Sequence, residues 1–194
     1  MLRMQQNASM KNKRPTLTTK RLILRPLLLS DADRVRLLAG NRKIADKMLN
    51  IPHPYKKGIA REWISTHQAK FEEGEAIHFA IVLKSGEKLI GVIGLNVNKD
   101  YNRAELGYWI GEEFWGRGYA TEAARAVVEY GFLRLSLHKI TSSHFARNPA
   151  SGKVMRKIGM KKEGFRKEHV IKWGKYEDLI DYAIFATETR NKKR

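Results

Sequence analysis

The sequence predicts an α+β domain, a mixed sheet with helices packed on it. Hydrophobic residues repeat every second position in several short segments and follow a 3.6-residue period in others. These segments succeed one another as strand, helix, helix, three strands, helix, strand, helix and two strands. With 194 residues, 42% of them hydrophobic, the chain is long enough to bury one ordinary core. We expect one domain over residues 15–189, between a flexible basic arm at 1–14 and a basic tail at 190–194.

The N-terminal half is predicted to supply one strand and two helices. Residues 18–25 alternate well enough for a strand. Ser30, with Asp33 three residues later, is typical of a helix start, and Gly40 ends that helix. Residues 56–73 carry apolar side chains at helical spacing and precede Gly74, which predicts a second, longer helix.

From residue 76 onward the period changes from 3.6 to 2. Residues 76–83, 88–97 and 103–110 predict a meander of three strands. After Gly116 the small and apolar residues follow an uninterrupted helical pattern to residue 135. A strand at 137–146 follows, then a short helix that begins at Asn148 and Pro149 and ends at Gly159. Residues 160–171 and 176–185 predict two last strands, joined around Gly174.

Charge and composition narrow the possible partners and chemistry. Lys and Arg number 38 against 20 Asp and Glu, a formal charge of +18, which favours anionic partners. The absence of Cys excludes disulfides, thiolate zinc sites and a cysteine nucleophile. The six histidines lack HxH or HxxxH spacing, so we expect no metal site. No apolar run approaches the roughly 18–20 residues of a membrane span, and the N-terminus lacks a signal-peptide core, so a cytoplasmic protein is expected.

The most informative stretch is residues 103–124, RAELGYWIGEEFWGRGYATEAA. There a strand leads through Gly116 and Gly118 into the best-patterned helix. Glycines let a ligand approach the backbone, and the first amides of a helix favour an anion such as a pyrophosphate. A tight turn alone also explains the two glycines. Neither GxxxxGK[ST] nor the third glycine of a dinucleotide motif is present, which argues against nucleotide triphosphates and dinucleotides.

These residues resemble a known family. Gly118-Tyr119-Ala120 resembles the end of the [RQ]xxGx[GA] pyrophosphate loop of the GCN5-related N-acetyltransferases (GNAT), with Trp115 at its first position. The run ELGYWIGEEFWGRGYATEA is similar to the RimJ/RimL branch, whose members acetylate the N-termini of ribosomal proteins. The similarity extends from residue 17 to 186 and continues in three further segments: NPAS at 148–151, RKIGM with KEG at 156–164, and WGKYED at 173–178.

The resemblance implies the GNAT fold, a mostly antiparallel twisted sheet, splayed between its fourth and fifth strands, with helices on both faces. It implies transfer of an acetyl group from acetyl-CoA, as cosubstrate, to a primary amine. The coenzyme pyrophosphate would be held by the backbone amides of Arg117, Gly118, Tyr119, Ala120 and Thr121. The pantetheine arm would run beside Leu106, Gly107, Tyr108, Trp109 and Ile110. The polar groups near pantetheine and the sulfur would be Asn148 and Ser151.

Two side chains are candidates for the chemistry itself. Glu105 shares a strand face with Gly107 and Trp109, where it is placed to accept the amine proton. The alternative is a structural ion pair with Arg103 or another base. The family often protonates the thiolate with a tyrosine four residues before the glycine that here is Gly159, but that position is Met155.

Ser151 is the remaining candidate for the leaving thiolate. It shares a helix face with Val154, Met155 and Ile158, which turns its hydroxyl inward. The competing interpretation is a bond back to the helix backbone. His144 is the one histidine worth testing as a substrate or relay group, with a partly exposed structural histidine as the alternative.

Three functions stay open on the sequence. The first is acetylation of a protein N-terminus, with a ribosomal protein as acceptor and a monomeric or homodimeric enzyme. The second is acetylation of a small amine such as a polyamine or aminoglycoside. The third, of another class, is a basic module that binds nucleic acid, although no RNA-binding or helix-turn-helix pattern supports it. The excess charge either docks the enzyme on ribosomal RNA or is solvated surface.

Overall fold

An eight-stranded sheet organises residues 13–190, the part of the chain that the computed structural model describes. Its strands lie in the order β1-β2-β3-β4-β5-β6-β8-β7. All neighbouring pairs are antiparallel except β5 and β6, which are parallel. The strands are β1 Leu17–Thr18, β2 Leu22–Pro26, β3 Ala76–Leu83, β4 Leu89–Asn98, β5 Arg103–Ile110, β6 Lys139–Phe145, β7 Lys161–Lys172 and β8 Lys175–Phe185.

Helices cover both faces of this sheet. They are α1 Ala32–Ala39, α2 Arg42–Ala45, α3 Ile59–Ser65, α4 His67–Glu72, α5 Tyr119–Leu133, α6 Pro149–Lys157 and α7 Ala186–Arg190, with 3-10 turns at Leu29–Asp31 and Glu112–Phe114. Within the described residues, none of these helices is long and apolar enough to span a bilayer. The predicted α+β fold with a splayed, mostly antiparallel sheet is confirmed.

Two hydrophobic clusters, one on each face, hold the layers together. Helix α5 and Met155 of α6 pack on one face, against side chains such as Phe79 and Ile93. Helices α1 and α3 pack on the other face, against Ala80 and Val92. Because β3 and β4 are buried on both sides, their sequences are nearly continuous apolar runs rather than alternating ones. The first face is called the α5 face below, and the second the α1 face.

Two predicted elements are interrupted in the structure. The strand expected at 18–25 is two short strands, β1 and β2, with a turn between them. The helix expected at 56–73 begins only at Ile59 and breaks at Thr66. There the hydroxyls of Ser65 and Thr66 donate to the carbonyls of Glu62 and Trp63 at 2.6 and 2.9 Å, and such bonds compete with the helical pattern.

The predicted terminal segments fall largely beyond the described residues. Positions 1–12 and 191–194 lie outside them. Arg14, which the prediction assigned to the flexible arm, is anchored to the domain. Its guanidinium donates to Gln68 at 3.0 Å and to the carbonyl of Leu27 at 3.3 Å.

A pair of stacked histidines joins α4 to β3: His67, the buried first residue of the helix, and His78, half-buried on the strand. The rings of His67 and His78 stack with centroids 4.6 Å apart, and Trp63 meets both edge-on. Both ring nitrogens of His67 and Nδ1 of His78 have no hydrogen-bond partner in the described part of the chain. Burial, assisted by nearby positive charge, lowers the pKa of His67 to about 3 and that of His78 to about 4. Both rings are therefore neutral at neutral pH.

This pair makes the fold sensitive to mild acid. Between the unfolded histidine pKa near 6.5 and the lower native values, only the unfolded chain binds these protons. The free energy of unfolding should therefore fall as pH drops from about 6.5 to about 4.5, by at most about 1.4 kcal/mol per pH unit for each histidine. Urea titrations of wild type and His67→Leu measure this slope. We expect the variant to lose about half of it, and an unchanged slope would contradict the assignment.

Candidate active site

Two glycines shape the junction between β5 and α5. Gly116 and Gly118 have φ of 75° and 79°, in the left-handed region that residues with a Cβ rarely enter. Gly118 is the N-cap of α5, and its position provides no side-chain cap. The first amides of the helix lack intrahelical acceptors and lie at the positive end of the helix dipole. This end of α5 therefore suits an anion with several oxygens.

Arg21, from the turn between β1 and β2, brings a cation to this junction. Its Nη1 donates to the carbonyl of Arg117 at 3.0 Å, and its guanidinium lies 4.6 Å from the ring centre of Tyr119. The carboxylate of Glu122, in the first turn of α5, accepts hydrogen bonds from Nε of Arg21 at 2.6 Å and from the backbone N–H of Arg21 at 2.7 Å. Sequence reasoning missed Arg21, because the turn carries no motif and lies 96 residues away from Arg117.

The parallel strands β5 and β6 separate soon after they meet. Their pairing covers three residue pairs, from Arg103 with Lys139 to Glu105 with Thr141. Just beyond the last pair, the hydroxyl of Ser142 donates to the carbonyl of Leu106 at 2.8 Å. The edge of β5 from residue 107 to 110 is therefore not paired with β6, which leaves a gap in the middle of the sheet.

On the α5 face, one hydrogen-bonded pair crosses this gap. The hydroxyl of Tyr108 on β5 lies 2.8 Å from Oγ and 3.1 Å from the carbonyl oxygen of Ser151 on α6. Burial raises the pKa of Tyr108 to about 12, so this hydroxyl stays protonated. Ser151 thus has a tyrosine as its partner, rather than the helix backbone that one interpretation predicted for its side chain. Met155 is buried in the core.

Glu105, Gly107 and Trp109 project from the α1 face. Trp109 packs against the α1 and α3 cluster, and a Cβ on Gly107 would meet no atom within 4 Å. The surface of the sheet next to Glu105, at Gly107, is therefore not covered by other residues of the described chain. The backbone of Glu105 pairs within the sheet, but within residues 13–190 its carboxylate makes no hydrogen bond or ion pair. Arg103, the predicted structural partner, lies over the ring of Tyr101 instead, 5.2 Å from its centre.

A cleft of about 510 Å³ surrounds Glu105 on this face. Three basic and three acidic side chains are among those that line it: Arg103, Lys139, Arg166, Glu105, Glu163 and Asp181. Arg166 binds both carboxylate oxygens of Asp181 at 2.7 Å, and Lys139 binds Glu163 at 2.5 Å. The bond to Asp181 and, to a smaller extent, the charge of Glu105 raise the pKa of Arg166, against the effect of burial. Of the three carboxylates, Glu105 alone has no ion pair among the described residues.

The loop between α2 and α3 is tied down beside this face. Tyr55 of the loop packs against the α1 and α3 cluster. Lys172, at the end of β7, is only 6% exposed, and its ammonium donates to the carbonyls of Leu49 and Ile51 at 3.1 and 2.8 Å. Arg147, just after β6, forms ion pairs with Asp46 at the end of α2 and with Glu177 on β8. These ion pairs are a second link between the loop and the sheet.

The structure brings most of the predicted site residues to the two ends of the gap. Residues 117–121 form the turn and first helical turn at the α5 N-terminus. Residues 106–110 form the part of β5 that borders the gap, and Asn148 and Ser151 begin α6 on its other side. Asn148 is the N-cap as predicted, but its side chain makes no capping bond.

His144 is not available to an acceptor amine. It is 6% exposed, and its Nδ1 lies 2.8 Å from the carbonyl of Phe145. A Cβ on Gly152 of α6 would contact the ring at 2.6 Å, so the ring lies on the α5 face, opposite Glu105. The expectation of a partly exposed histidine is wrong, because α6 covers this side of β6. No three His, Asp or Glu side chains converge as metal ligands in the described chain.

Comparisons with known proteins agree with this geometry. Residues 21–161 match the family model of the acetyltransferase (GNAT) domain. The uncharacterised N-acetyltransferase p20 of Bacillus licheniformis is 31% identical over 174 residues, 89% of this chain and 97% of that protein. The ribosomal protein uS5-alanine N-acetyltransferase of Escherichia coli is 28% identical over 176 residues, 87% of this chain and 89% of that protein.

A solved structure of a RimL ribosomal L7/L12 α-N-protein acetyltransferase in complex with coenzyme A superposes with a TM-score of 0.80 at 20% identity, over 88% of this chain and 98% of that one. The shared fold, together with the family model and the sequence relatives, confirms the resemblance that the glycine-containing motif indicated. This chain therefore belongs to the GNAT family of N-acetyltransferases.

Proposed function

We propose that this chain transfers the acetyl group of acetyl-CoA to the N-terminal amine of a protein, by direct attack of the amine on the thioester. The observation that best supports this proposal is that the gap between β5 and β6 lies between two different sites, one on each face of the sheet. An anion site lies at the α5 N-terminus on one face. A cleft containing the carboxylate of Glu105 lies on the other.

The α5 face suits the acetyl donor. Amides of residues 117–121 would hold the pyrophosphate, with Arg21 adding positive charge beside it. The unpaired edge of β5 would accept the pantetheine amides as a neighbouring strand does, along residues 106–110. Asn148 and Ser151 border the same gap from α6. Coenzyme A in the related ribosomal acetyltransferase structure supports this choice of donor.

The chemistry then divides among three groups. Glu105 accepts the proton of the attacking amine, directly or through a water molecule, as the new C–N bond forms. Backbone amides near the end of β5 at Ile110 stabilise the oxyanion of the tetrahedral intermediate. When the C–S bond breaks, its electron pair leaves on sulfur, and the Ser151 hydroxyl donates a hydrogen bond to that thiolate.

The charge pattern of the cleft favours a single amine on a larger acceptor. Lys139 and Arg166 are paired with Glu163 and Asp181, so the cleft offers no cluster of free carboxylates to hold a polyamine or aminoglycoside with several positive charges. Because Asp181 and Glu163 are each bound to a basic side chain, Glu105 is the one carboxylate lining the cleft that has no ion pair among the described residues. The volume of about 510 Å³ exceeds what a lone amine needs and accommodates the first residues of a peptide.

A ribosomal protein is the proposed acceptor, modified in the cytoplasm. The Escherichia coli relative acts on an alanine of ribosomal protein uS5. The formal charge of +18 suits docking on a particle rich in RNA. Membership in an acetyltransferase family argues against the alternative of a module that only binds nucleic acid.

Replacing Gly118 with Val should abolish donor binding. The Cβ would strain a backbone with φ of 79° and crowd the amides that face the pyrophosphate. Isothermal titration with coenzyme A should show an affinity at least roughly tenfold lower. Gly86→Val is the matched control, since Gly86 has φ of 82° and no atom within 4 Å of its Cβ position, in the turn after β3. Equal losses in both variants would mean that strain alone, not the site, was measured.

Glu105→Gln should spare donor binding and lower turnover. A general base typically contributes about 10²- to 10⁴-fold, so kcat should fall within that range while the Kd for coenzyme A stays unchanged. Steady-state kinetics from pH 6 to 9 and titration calorimetry measure the two effects. Glu163→Gln, which removes a charge already paired with Lys139, should alter acceptor KM more than kcat. Full activity of Glu105→Gln at every pH would mean that solvent, rather than Glu105, accepts the proton of the attacking amine.

An acceptor panel tests the proposed function directly. The purified enzyme and acetyl-CoA are incubated with N-terminal peptides of ribosomal proteins, with spermidine and with an aminoglycoside, and products are identified by mass spectrometry. We expect kcat/KM to be highest for one of the peptides, and acetylation of ribosomal protein within intact ribosomal subunits, which carry RNA, to weaken as salt rises. Preference for spermidine, or activity on these subunits that salt leaves unchanged, would contradict the proposal.

A further inference from the structure

The Tyr108 hydroxyl is the nearest described partner of the Ser151 side chain. Tyr108 reaches Ser151 from the opposite side of the gap, 43 positions earlier in the chain. Its ring packs against the α5-face core, which fixes the direction of the hydroxyl. The distance of 2.8 Å to Oγ is that of a good O–H···O hydrogen bond.

Counting protons shows what this contact can do. Each hydroxyl has one proton to donate. If Tyr108 donates to the Ser151 carbonyl, the Ser151 proton is directed back at Tyr108. If Tyr108 donates to Oγ, the Ser151 proton is free to point at a third atom. Rotation of the two O–H bonds exchanges these arrangements without moving any heavy atom.

We propose that Tyr108 is a positioning residue for the leaving group: it donates to Oγ of Ser151 and thereby directs the Ser151 proton at the departing sulfur. This inference rests on the proposed function, which places the thioester beside Ser151. In the step itself the C–S bond breaks and its electron pair leaves on sulfur. Ser151 donates a hydrogen bond to the thiolate, Tyr108 donates to Ser151, and both hydroxyls keep their protons.

Two features of the site favour this role. Burial raises the pKa of Tyr108 to about 12, so the phenol remains a donor through any working pH. A hydroxyl that itself accepts a hydrogen bond is a stronger donor, because chains of such bonds polarise one another. Met155 occupies the helix position where the family often has a tyrosine. Tyr108 thus brings a phenol to the same helix from strand β5.

The test is a double-mutant cycle on the full-length enzyme. We expect Tyr108→Phe to lower kcat by about tenfold to a hundredfold, the range for a hydrogen bond that acts on a charge, with KM for acetyl-CoA and peptide within about twofold. Ser151→Ala should lower kcat to a similar extent. The double variant should be no slower than the slower single one, since both act on the same sulfur.

Tyr130→Phe is the control, because it removes a tyrosine hydroxyl from the same face, on a ring that packs against Phe79 of β3. Thermal melts and coenzyme A titration check that every variant folds and binds donor. Unchanged kcat in Tyr108→Phe overturns the inference, and so do losses that simply add, since independent effects indicate a structural role for Tyr108. A wild type that binds no coenzyme A would instead overturn the proposed function itself.

Discussion

The short pairing between β5 and β6 is the constraint on which the site depends. Two parallel strands normally hydrogen-bond along their full shared length, but here only three residue pairs meet, and the Ser142 bond to Leu106 closes the paired section. Beyond that point β5 has one edge bonded to β4 and no neighbouring strand on the other, where the indole of Trp115 donates to the carbonyl of Ile110 at 2.6 Å. That edge lies in the middle of the sheet, where a ligand can complete the missing strand contacts from either face.

Because side chains alternate along β5, Glu105 and Tyr108 lie on opposite faces of the sheet. Successive side chains of β5 point to opposite faces, so Tyr108 meets α6 while its neighbour Trp109 packs on the α1 face, the face on which Glu105 lines the cleft. Acetyl transfer needs a base near the incoming amine and a donor near the outgoing thiolate, on opposite sides of the reacting carbon. In the proposed mechanism, a strand at the gap serves both sides with two residues three positions apart: Glu105 accepts the amine proton, and Tyr108 acts on the thiolate through Ser151. One helix face would place both groups together.

Local pattern predicted the elements well and the contacts between them poorly. The predicted bounds of β5 and of the Ala76–Leu83 strand match the structure, because their periodicity comes from burial of the strand itself. The break at Thr66 was missed because two hydroxyl bonds outweigh an otherwise helical pattern. Arg21 and the partner of Ser151 lie 96 and 43 residues from the groups they contact, so only the order of strands in the sheet reveals them. That order also puts Arg166 within electrostatic reach of Glu105.

The charge balance of the cleft around Glu105 differs from that of the whole chain. The cleft around Glu105 has as many basic as acidic side chains, although the whole chain carries a formal +18. The surplus therefore lies outside the cleft, where it acts over a Debye length of about 8–10 Å and weakens with salt. Inside, the ion pairs of Glu163 and Asp181 leave Glu105 as the one carboxylate of the cleft without such a pair among the described residues. Under the proposed function, long-range attraction selects an anionic particle, while the transfer step depends on groups that salt screens much less.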